Sequence, residues 1–497
     1  MKKITKATLS VFLFVLMFVV SGIQAQAASK AEIESTGTKM TLNKEAKGVL
    51  TSKGDENWFI FDVTQPGYFN LTFNTTYADA DAISKGWDIY IYDSNDLINC
   101  VGSYGSIKNK FTTANFPMHT GRYYVKVIAY WQTYAPVNCT YGLTANYTVD
   151  GAWEEEYNNE SNVANVKQVN SVIKGNLHHR ADADWYKFTV GKKGVLQIDF
   201  APTDYANIDM ISKGWTVKIY DSNFIMIREF SALKSSFTSP VLPYEAGTYH
   251  VKVEAYWQTY APIACDYLLN LKHTVDNSWE SESNNESSIC NPIVTGTTYH
   301  GTFHYKGDVD WYKINLKKKG VVKLDFSKGS NANIEAVNKG WDVYMYDAKT
   351  NAVVASLSQI TNSGSQTVNL NKGAYYVKVV AYWQTYAPVD CQYDFKVSFT
   401  QSPSKTKIKS IKSSKKKVTL KWKKASGANG YYIYRSTSKK GTYKKVATIK
   451  KGTTVKYTDK KGLKKKKTYY YKIVAYKKAN GITATSADSA VKKVKVK

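Results

Sequence analysis

Polar and apolar positions alternate along this chain in short runs. Trp87-Asp88-Ile89-Tyr90-Ile91-Tyr92 sends every second residue to one face and then turns at Asp93-Ser94-Asn95. Tyr375-Tyr376-Val377-Lys378-Val379-Val380-Ala381-Tyr382 does the same after a Lys372-Gly373 turn. Runs of this length, rich in Val, Ile, Tyr and Trp and punctuated by Gly, Asn and Asp, predict antiparallel strands of β-sandwiches. No long helical periodicity competes with them.

The pattern recurs. Tyr-Trp-Gln-Thr-Tyr-Ala-Pro occurs at 130–136, 256–262 and 382–388, and Lys-Gly-Trp at 85–87, 213–215 and 339–341. Asp-x-Asp-Trp occurs at 182–185 and 308–311, with Asp55-Glu56-Asn57-Trp58 as the first copy. A step of about 126 residues is a whole domain with its own core, rather than a solenoid unit. The expected organisation is a leader at 1–28, repeats at 29–149, 150–275 and 276–400, and a fourth domain at 401–497.

Strand register assigns the aromatic residues to faces. Tyr123, Val125, Val127, Ala129 and Trp131 share one face, against Tyr124, Lys126, Ile128 and Tyr130. The apolar set must face the core, so Trp131, Trp257 and Trp383 are expected inside. The same test buries Trp87 with Ile89 and Ile91 and leaves Tyr90 and Tyr92 outward beside Asp88. On the next strand the order reverses. Tyr186, Phe188 and Val190 form the apolar set, so Trp185 points outward with Lys187 and Thr189, as do Trp58 and Trp311. An outward Trp beside paired acids either contacts a ligand or roofs the acidic turn.

The leader changes the compartment expected. Lys2, Lys3 and Lys6 precede an apolar stretch from Leu9 to Val20, followed by Ala25-Gln26-Ala27. That is the pattern of a secretory signal peptide, and no later segment is apolar enough to span a bilayer. The five cysteines, Cys100, Cys139, Cys265, Cys290 and Cys391, are an odd number at spacings unlike a disulfide framework. Cys139, Cys265 and Cys391 occupy the same point of each repeat and are expected in small buried sites.

Charge separates the last domain from the rest. The whole chain carries +28, but residues 401–497 hold 31 Lys and Arg against two acids, Asp459 and Asp488. The repeats are therefore nearly neutral, and the fourth domain attracts polyanions. For an exported protein, an anionic cell-wall polymer is the expected partner of residues 403–497. Nucleic acid is not the main partner expected, since no nucleic-acid-binding motif is present.

The repeats resemble the bacterial pre-peptidase C-terminal domain family. The carrying residues are Glu154-Glu155-Glu156-Tyr157-Asn158-Asn159, Asp182-Ala183-Asp184-Trp185-Tyr186-Lys187-Phe188, and Gly247-Thr248-Tyr249-His250-Val251-Lys252-Val253. Repeat three matches at 280–285, 308–312 and 373–379, while repeat one lacks much of the acidic lead-in. The resemblance implies jelly-roll-like sandwiches of the kind appended to secreted enzymes, including collagen-binding modules of clostridial collagenases. The last domain resembles a bacterial fibronectin type III domain. Val418-Thr419-Leu420-Lys421-Trp422 is similar to its tryptophan strand, and Leu463 with Tyr469 to its tyrosine corner. The fold class expected is all-β: three jelly-roll-like sandwiches and one immunoglobulin-like fibronectin type III sandwich.

No catalytic motif accompanies this framework. His-Glu-x-x-His, Gly-x-Ser-x-Gly, a phosphate loop and cysteine–histidine metal spacing are all missing. His178 and His304 fall at matching places, with no acidic partner evident, and read as structural histidines. A non-catalytic binding role is expected. Calcium is the metal expected, because it takes six to eight hard oxygen ligands. Repeat two offers Glu154, Glu156, Asn158, Asn159, Asp182 and Asp184; repeat three offers Glu280, Glu282, Asn284, Asn285, Asp308 and Asp310. The resemblance implies the same, since collagen-binding members carry calcium on a corresponding lead-in. The alternative is a solvated linker with turn-capping aspartates. Repeat one, with Glu32 and Glu34 before Thr36-Gly37 and Asn57 in place of an Asp, is expected to hold calcium weakly or not at all.

The candidate ligand face is made of outward tyrosines: Tyr90, Tyr92, Tyr130, Tyr134, Tyr256, Tyr260, Tyr382 and Tyr386. Flat apolar rings with a hydroxyl suit a polysaccharide or an extracellular-matrix-type protein. Three weak sites on one chain gain by avidity on a polymer. The expected role is adhesion at a bacterial surface; the alternative is an accessory protein that brings a separate secreted hydrolase or protease to its substrate.

Overall fold

A computed structural model describes residues 28–497 except 53, 76–85, 130–138, 178–181, 204–213, 257–264, 306, 330–339 and 382–390. The described chain is built almost entirely of β-strands arranged in sandwiches. It divides into two compact units, Met1–Tyr157 and Asn158–Lys497.

The first unit contains one sandwich. Its five-stranded sheet runs Thr38–Lys39, Glu56–Val63, Gly121–Ala129, Trp87–Asp93, Gly102–Ile107, with only the first pair parallel. Its second sheet runs Ala46–Leu50, Cys139–Val149, Gly67–Asn74, Phe111–Thr112. One core joins both sheets, with Phe59, Phe61, Trp87, Ile89, Phe73 and Tyr141 all buried.

The second unit repeats this plan. Repeat two orders Asn165–Val166, Ala183–Val190, Gly247–Ala255, Trp215–Tyr220 and Met226–Leu233 in one sheet; Val172–Leu177, Cys265–Val275, Gly194–Pro202 and Phe237–Thr238 form the other. Repeat three orders Asn291–Ile293, Val309–Leu316, Gly373–Ala381, Trp341–Asp347 and Val353–Ile360. It faces Thr298–Phe303, Cys391–Gln401, Gly320–Lys328 and Ser363–Leu370 across one shared core. Trp87, Trp215 and Trp341 are fully buried in their cores, as register requires. The glycine before each has a positive φ, +79°, +78° and +75°, and a Cβ there would run into a neighbouring strand's carbonyl. That steric requirement explains the repeated Lys-Gly-Trp.

Residues 401–497 pair Ile408–Ser414, Lys417–Trp422 and Lys456–Asp459 in one sheet. The other holds Lys444–Ile449, Gly430–Ser436, Thr468–Ala479 and Ile482–Thr485, with Lys492–Lys495 on Thr468–Ala479. Trp422, Leu463 and Tyr469 are in the core. The Tyr469 hydroxyl donates to the Gly462 carbonyl at 3.3 Å and accepts from the Lys464 N–H at 3.1 Å, a local corner that fixes the loop's entry into the strand.

One expectation of facing fails in repeat one. Register turns Tyr124 and Ile128 away from the main core, yet both are buried. A short helix, Lys30–Thr36, lies over Tyr124: Ile33 packs with Ile60 and Tyr124. Ser29 caps it by accepting from the Glu32 N–H. Alternation distinguishes the two sides of a sheet, and it cannot register a helix laid on the outer side.

Candidate metal centre and aromatic face

In repeat three the acidic lead-in is stitched between the two sheets. The Glu280 N–H donates to the His300 carbonyl on Thr298–Phe303, and the Trp311 N–H on Val309–Leu316 donates to the Asn284 carbonyl, both at 3.0 Å. This lacing turns Glu280 and Asn284 inward, where both are buried, while Glu282 keeps partial exposure. Asp308 and Asp310 enter from the turn and strand start opposite, and both are fully buried. Single oxygens of Glu282, Asp308 and Asp310 lie within 4.8 Å of one another, as do ligand atoms of Glu280, Glu282 and His304.

Neutral donors support part of this charge. Glu280 accepts from the Thr302 N–H at 2.6 Å and the Tyr312 hydroxyl at 2.9 Å. Asp308 accepts from the backbone of His304 and Val309 at 2.6 and 2.9 Å, and Asn285 Oδ1 from Val309 at 3.3 Å. Asp310 Oδ2 accepts from the Tyr393 hydroxyl. Gly301 makes room for that tyrosine, since a Cβ there would overlap its ring. Two oxygens stay unserved: Asn284 Oδ1 and Asp310 Oδ1 are buried without a hydrogen-bond partner among the described residues. An orphaned buried carboxylate oxygen costs on the order of 1–3 kcal/mol or more.

The crowding shows in the acid–base balance. Burial raises the Glu280 carboxyl to about 7, with Glu282 adding to the shift and His304 opposing it. Burial and the charges of Glu280, Asp308 and Glu282 hold Asp310 well above the ordinary carboxyl range. Burial alone would lower His304, but the carboxylates of Asp308, Glu282 and Glu280 beside it raise it to about 10. His304 Nδ1 lies 3.0 Å from Glu282 and 3.7 Å from Asp308. The acidic partner that sequence did not reveal thus comes from the lead-in, folded back onto the histidine's strand. The donor set fits a hard dication: carboxylate and amide oxygens predominate, two of them unserved and buried.

Repeat two keeps much of this frame. Within the second unit, Asn158, Asp182 and Asp184 are buried. The Trp185 N–H donates to the Asn158 carbonyl, and the Ala183 N–H to Asn159 Oδ1 and Asp182 Oδ1, each at 3.0 Å. The Tyr267 hydroxyl donates to Asp184. Glu154 and Glu156, at the end of the first unit, are also buried. His178 lies outside the described residues.

Repeat one is built otherwise. Glu32 and Glu34 sit on the short helix, and Glu34 accepts from Arg122 at 2.7 Å and from the Tyr124 hydroxyl. Asp55 closes its own turn, accepting from the N–H groups of Thr51 and Ser52. Asn57 Oδ1 accepts from Tyr141 at 2.8 Å, a neutral version of the Tyr393–Asp310 contact.

The outward tryptophans define a second feature. Trp58 packs on Tyr92 at 5.6 Å with Lys126 5.5 Å from its ring. Trp185 packs on Tyr220 at 5.1 Å with Lys252 at 5.6 Å, and Trp311 stacks on Tyr346 at 5.6 Å with Lys378 at 5.3 Å. Each triplet lies on the outer face of the five-stranded sheet, so the indoles lie on neighbouring aromatic residues of that face. Repeat three extends it through Tyr344 and Tyr376. Tyr90 and Tyr92 are half-buried on this face in repeat one, and Tyr256 is exposed at a strand end in repeat two. Tyr130, Tyr134, Tyr260, Tyr382 and Tyr386 lie outside the described residues, as do Trp131, Trp257 and Trp383. Sequence reasoning favoured the outward tryptophans as roofs over the acidic turn, whereas each packs on a tyrosine of the sheet face. The signal was present in register, because Trp58, Tyr92 and Lys126 fall on one side of three adjacent strands.

Comparisons with known proteins give partial matches. No protein-family model matches the chain. Collagenase ColA of Clostridium perfringens is 23% identical over 363 residues, covering 69% of this chain and 29% of the collagenase. The chain therefore spans under a third of that relative's length. Similar solved structures include the pre-peptidase C-terminal domain of a collagenase from Bacillus anthracis (21% identity, 22% of this chain, 94% of that one, TM-score 0.18). A fibronectin type III-like protein from Clostridium thermocellum is 33% identical, over 18% of this chain and 86% of that one, with a TM-score of 0.14. Among the described residues no helix is long and apolar enough to cross a membrane.

Proposed function

We propose that this chain is a secreted, non-catalytic binding protein whose repeats engage a polysaccharide or an extracellular-matrix-type protein. The observation that carries this reading is the Trp–Tyr–Lys triplet built three times on the same outer sheet face. A flat indole, a second ring and an ammonium group make a surface for extended ligands, and repetition multiplies weak contacts. The partial similarity to a collagenase brings collagen into the ligand class. Residues 403–497 attach the protein to anionic wall polymers through their charge.

Calcium belongs to this reading as a structural ion. In repeat three Glu280, Glu282, Asn284, Asn285, Asp308 and Asp310 would hold it, and repeat two carries the same residue types in the same order. The ion would neutralise the crowded carboxylates and fix the lead-in beside the sheet that bears Trp311.

The test is retention of the full chain on immobilised collagen and on a panel of polysaccharides, with calcium and with chelator. Retention in isolation supports this reading. Retention only in the presence of a co-secreted hydrolase supports the accessory role instead, and loss of neither ligand on Trp185→Ala with Trp311→Ala contradicts the aromatic face.

A further inference from the structure

The basic segment carries a face of its own that charge counting does not show. On Gly430–Ser436, Tyr431 and Ile433 are buried in the core, so Tyr432 and Tyr434 stand on the outer side of the sheet. Register places Lys472 and Lys445 on either side of Tyr434. Tyr432 stacks on Tyr476 with centroids 4.4 Å apart and planes 18° from parallel, and Lys445 lies 4.9 Å from the Tyr432 ring. Lys472 lies 4.8 Å from the Tyr443 ring and 5.7 Å from Tyr434. Rings and ammonium groups are therefore interleaved in one layer on a rigid sheet.

One exposed acid competes there, at Lys472. Of the two acids in this segment, Asp459 is buried and held by Arg435 at 2.7 Å and the Tyr471 hydroxyl at 2.9 Å. Asp488 alone is exposed, and it pairs with Lys472 at 2.6 Å. A purely electrostatic attachment surface needs lysines only, and the segment has many elsewhere. Tyrosines set between the lysines add flat apolar area, which favours a ligand with rings.

We propose that this outer face binds a linear acidic polysaccharide, its sugar rings on Tyr432, Tyr434 and Tyr443 and its acid groups at Lys445 and Lys472. The inference rests on the reading that residues 403–497 attach to an anionic polymer, and it names the class of polymer and the surface.

The experiment measures binding of the full chain to polygalacturonate, whose acid groups sit on rings, and to polyphosphate, which has none. Three double variants are compared with the unaltered protein: Tyr434→Ser with Tyr443→Ser, Lys445→Gln with Lys472→Gln, and Lys415→Gln with Lys416→Gln on a hairpin turn outside the face. The expected result is a loss of about tenfold or more in polygalacturonate affinity for the tyrosine pair, with polyphosphate binding unchanged. The Lys445/Lys472 pair should cost more on polygalacturonate than the hairpin pair, although both remove the same charge; this comparison holds even if the tyrosine variant folds poorly. If polyphosphate and polygalacturonate bind equally and both lysine pairs cost the same, the face is wrong and the attachment reading stands. Failure of both polymers to bind at low salt overturns both.

Discussion

The turn bearing Asp55 and Asn57 in repeat one and the turn bearing Asp308 and Asp310 in repeat three share a strand plan and differ in electrostatics. In repeat one Asp55 and Glu34 are spent locally, Asp55 on its own turn and Glu34 on Arg122 and Tyr124. Asn57 replaces a carboxylate with an amide that one tyrosine satisfies. In repeat three the lead-in crosses both sheets and delivers three side chains to the same turn, leaving carboxylates buried together. The comparison teaches that a small change in the lead-in, helix in one case and extended in the other, decides whether the turn satisfies its own acids or leaves carboxylates buried together.

The largest effect expected to test this is the calcium response. At calcium a hundredfold above its Kd, repeat three should gain about 2.7 kcal/mol, read by calorimetric unfolding of the full chain in calcium and in chelator. Asp310→Asn should remove that gain, yet leave the chelated protein at least as stable, because burial already disfavours the Asp310 carboxylate. A destabilised chelated variant would contradict the account.

Next in size is the aromatic face. Trp311→Ala should weaken binding to the retained ligand about tenfold, with little change in unfolding. Trp58→Ala should weaken it less, since Trp58 and Tyr92 already pack beside the helix Lys30–Thr36. Equal losses at both positions would erase the distinction between the repeats.

A smaller effect is expected at Arg122, which bridges Glu34 and Asp62 at 2.7 Å to each. Its side chain is 38% exposed, so Arg122→Ala should cost only about 0.5–1 kcal/mol. Hydrogen exchange at Ile33, on the helix it tethers, should quicken. Smallest of all, Asn57→Asp should give repeat one no calcium response, because Glu34 stays committed to Arg122.

Much of this was legible in the chain. Period-two alternation marked the strands, buried Trp87, Trp215 and Trp341, and turned Trp185 and Trp311 to the outer face. The acidic lead-in stood out by its repetition. What sequence could not supply were contacts made across long separations. His304 acquires Glu282 as a partner, and Asp310 acquires Tyr393, only because the lead-in and the strand Cys391–Gln401 converge on one turn. The helix over Tyr124 was missed for a related reason: seven residues with a single buried position, Ile33, carry no amphipathic period to detect.

The most direct measurement is a calorimetric calcium titration of the chelator-stripped full chain beside its Asp310→Ala variant. The account expects binding in or below the millimolar range, with one equivalent lost in the variant. No binding in that range, or the same stoichiometry in both proteins, would contradict it.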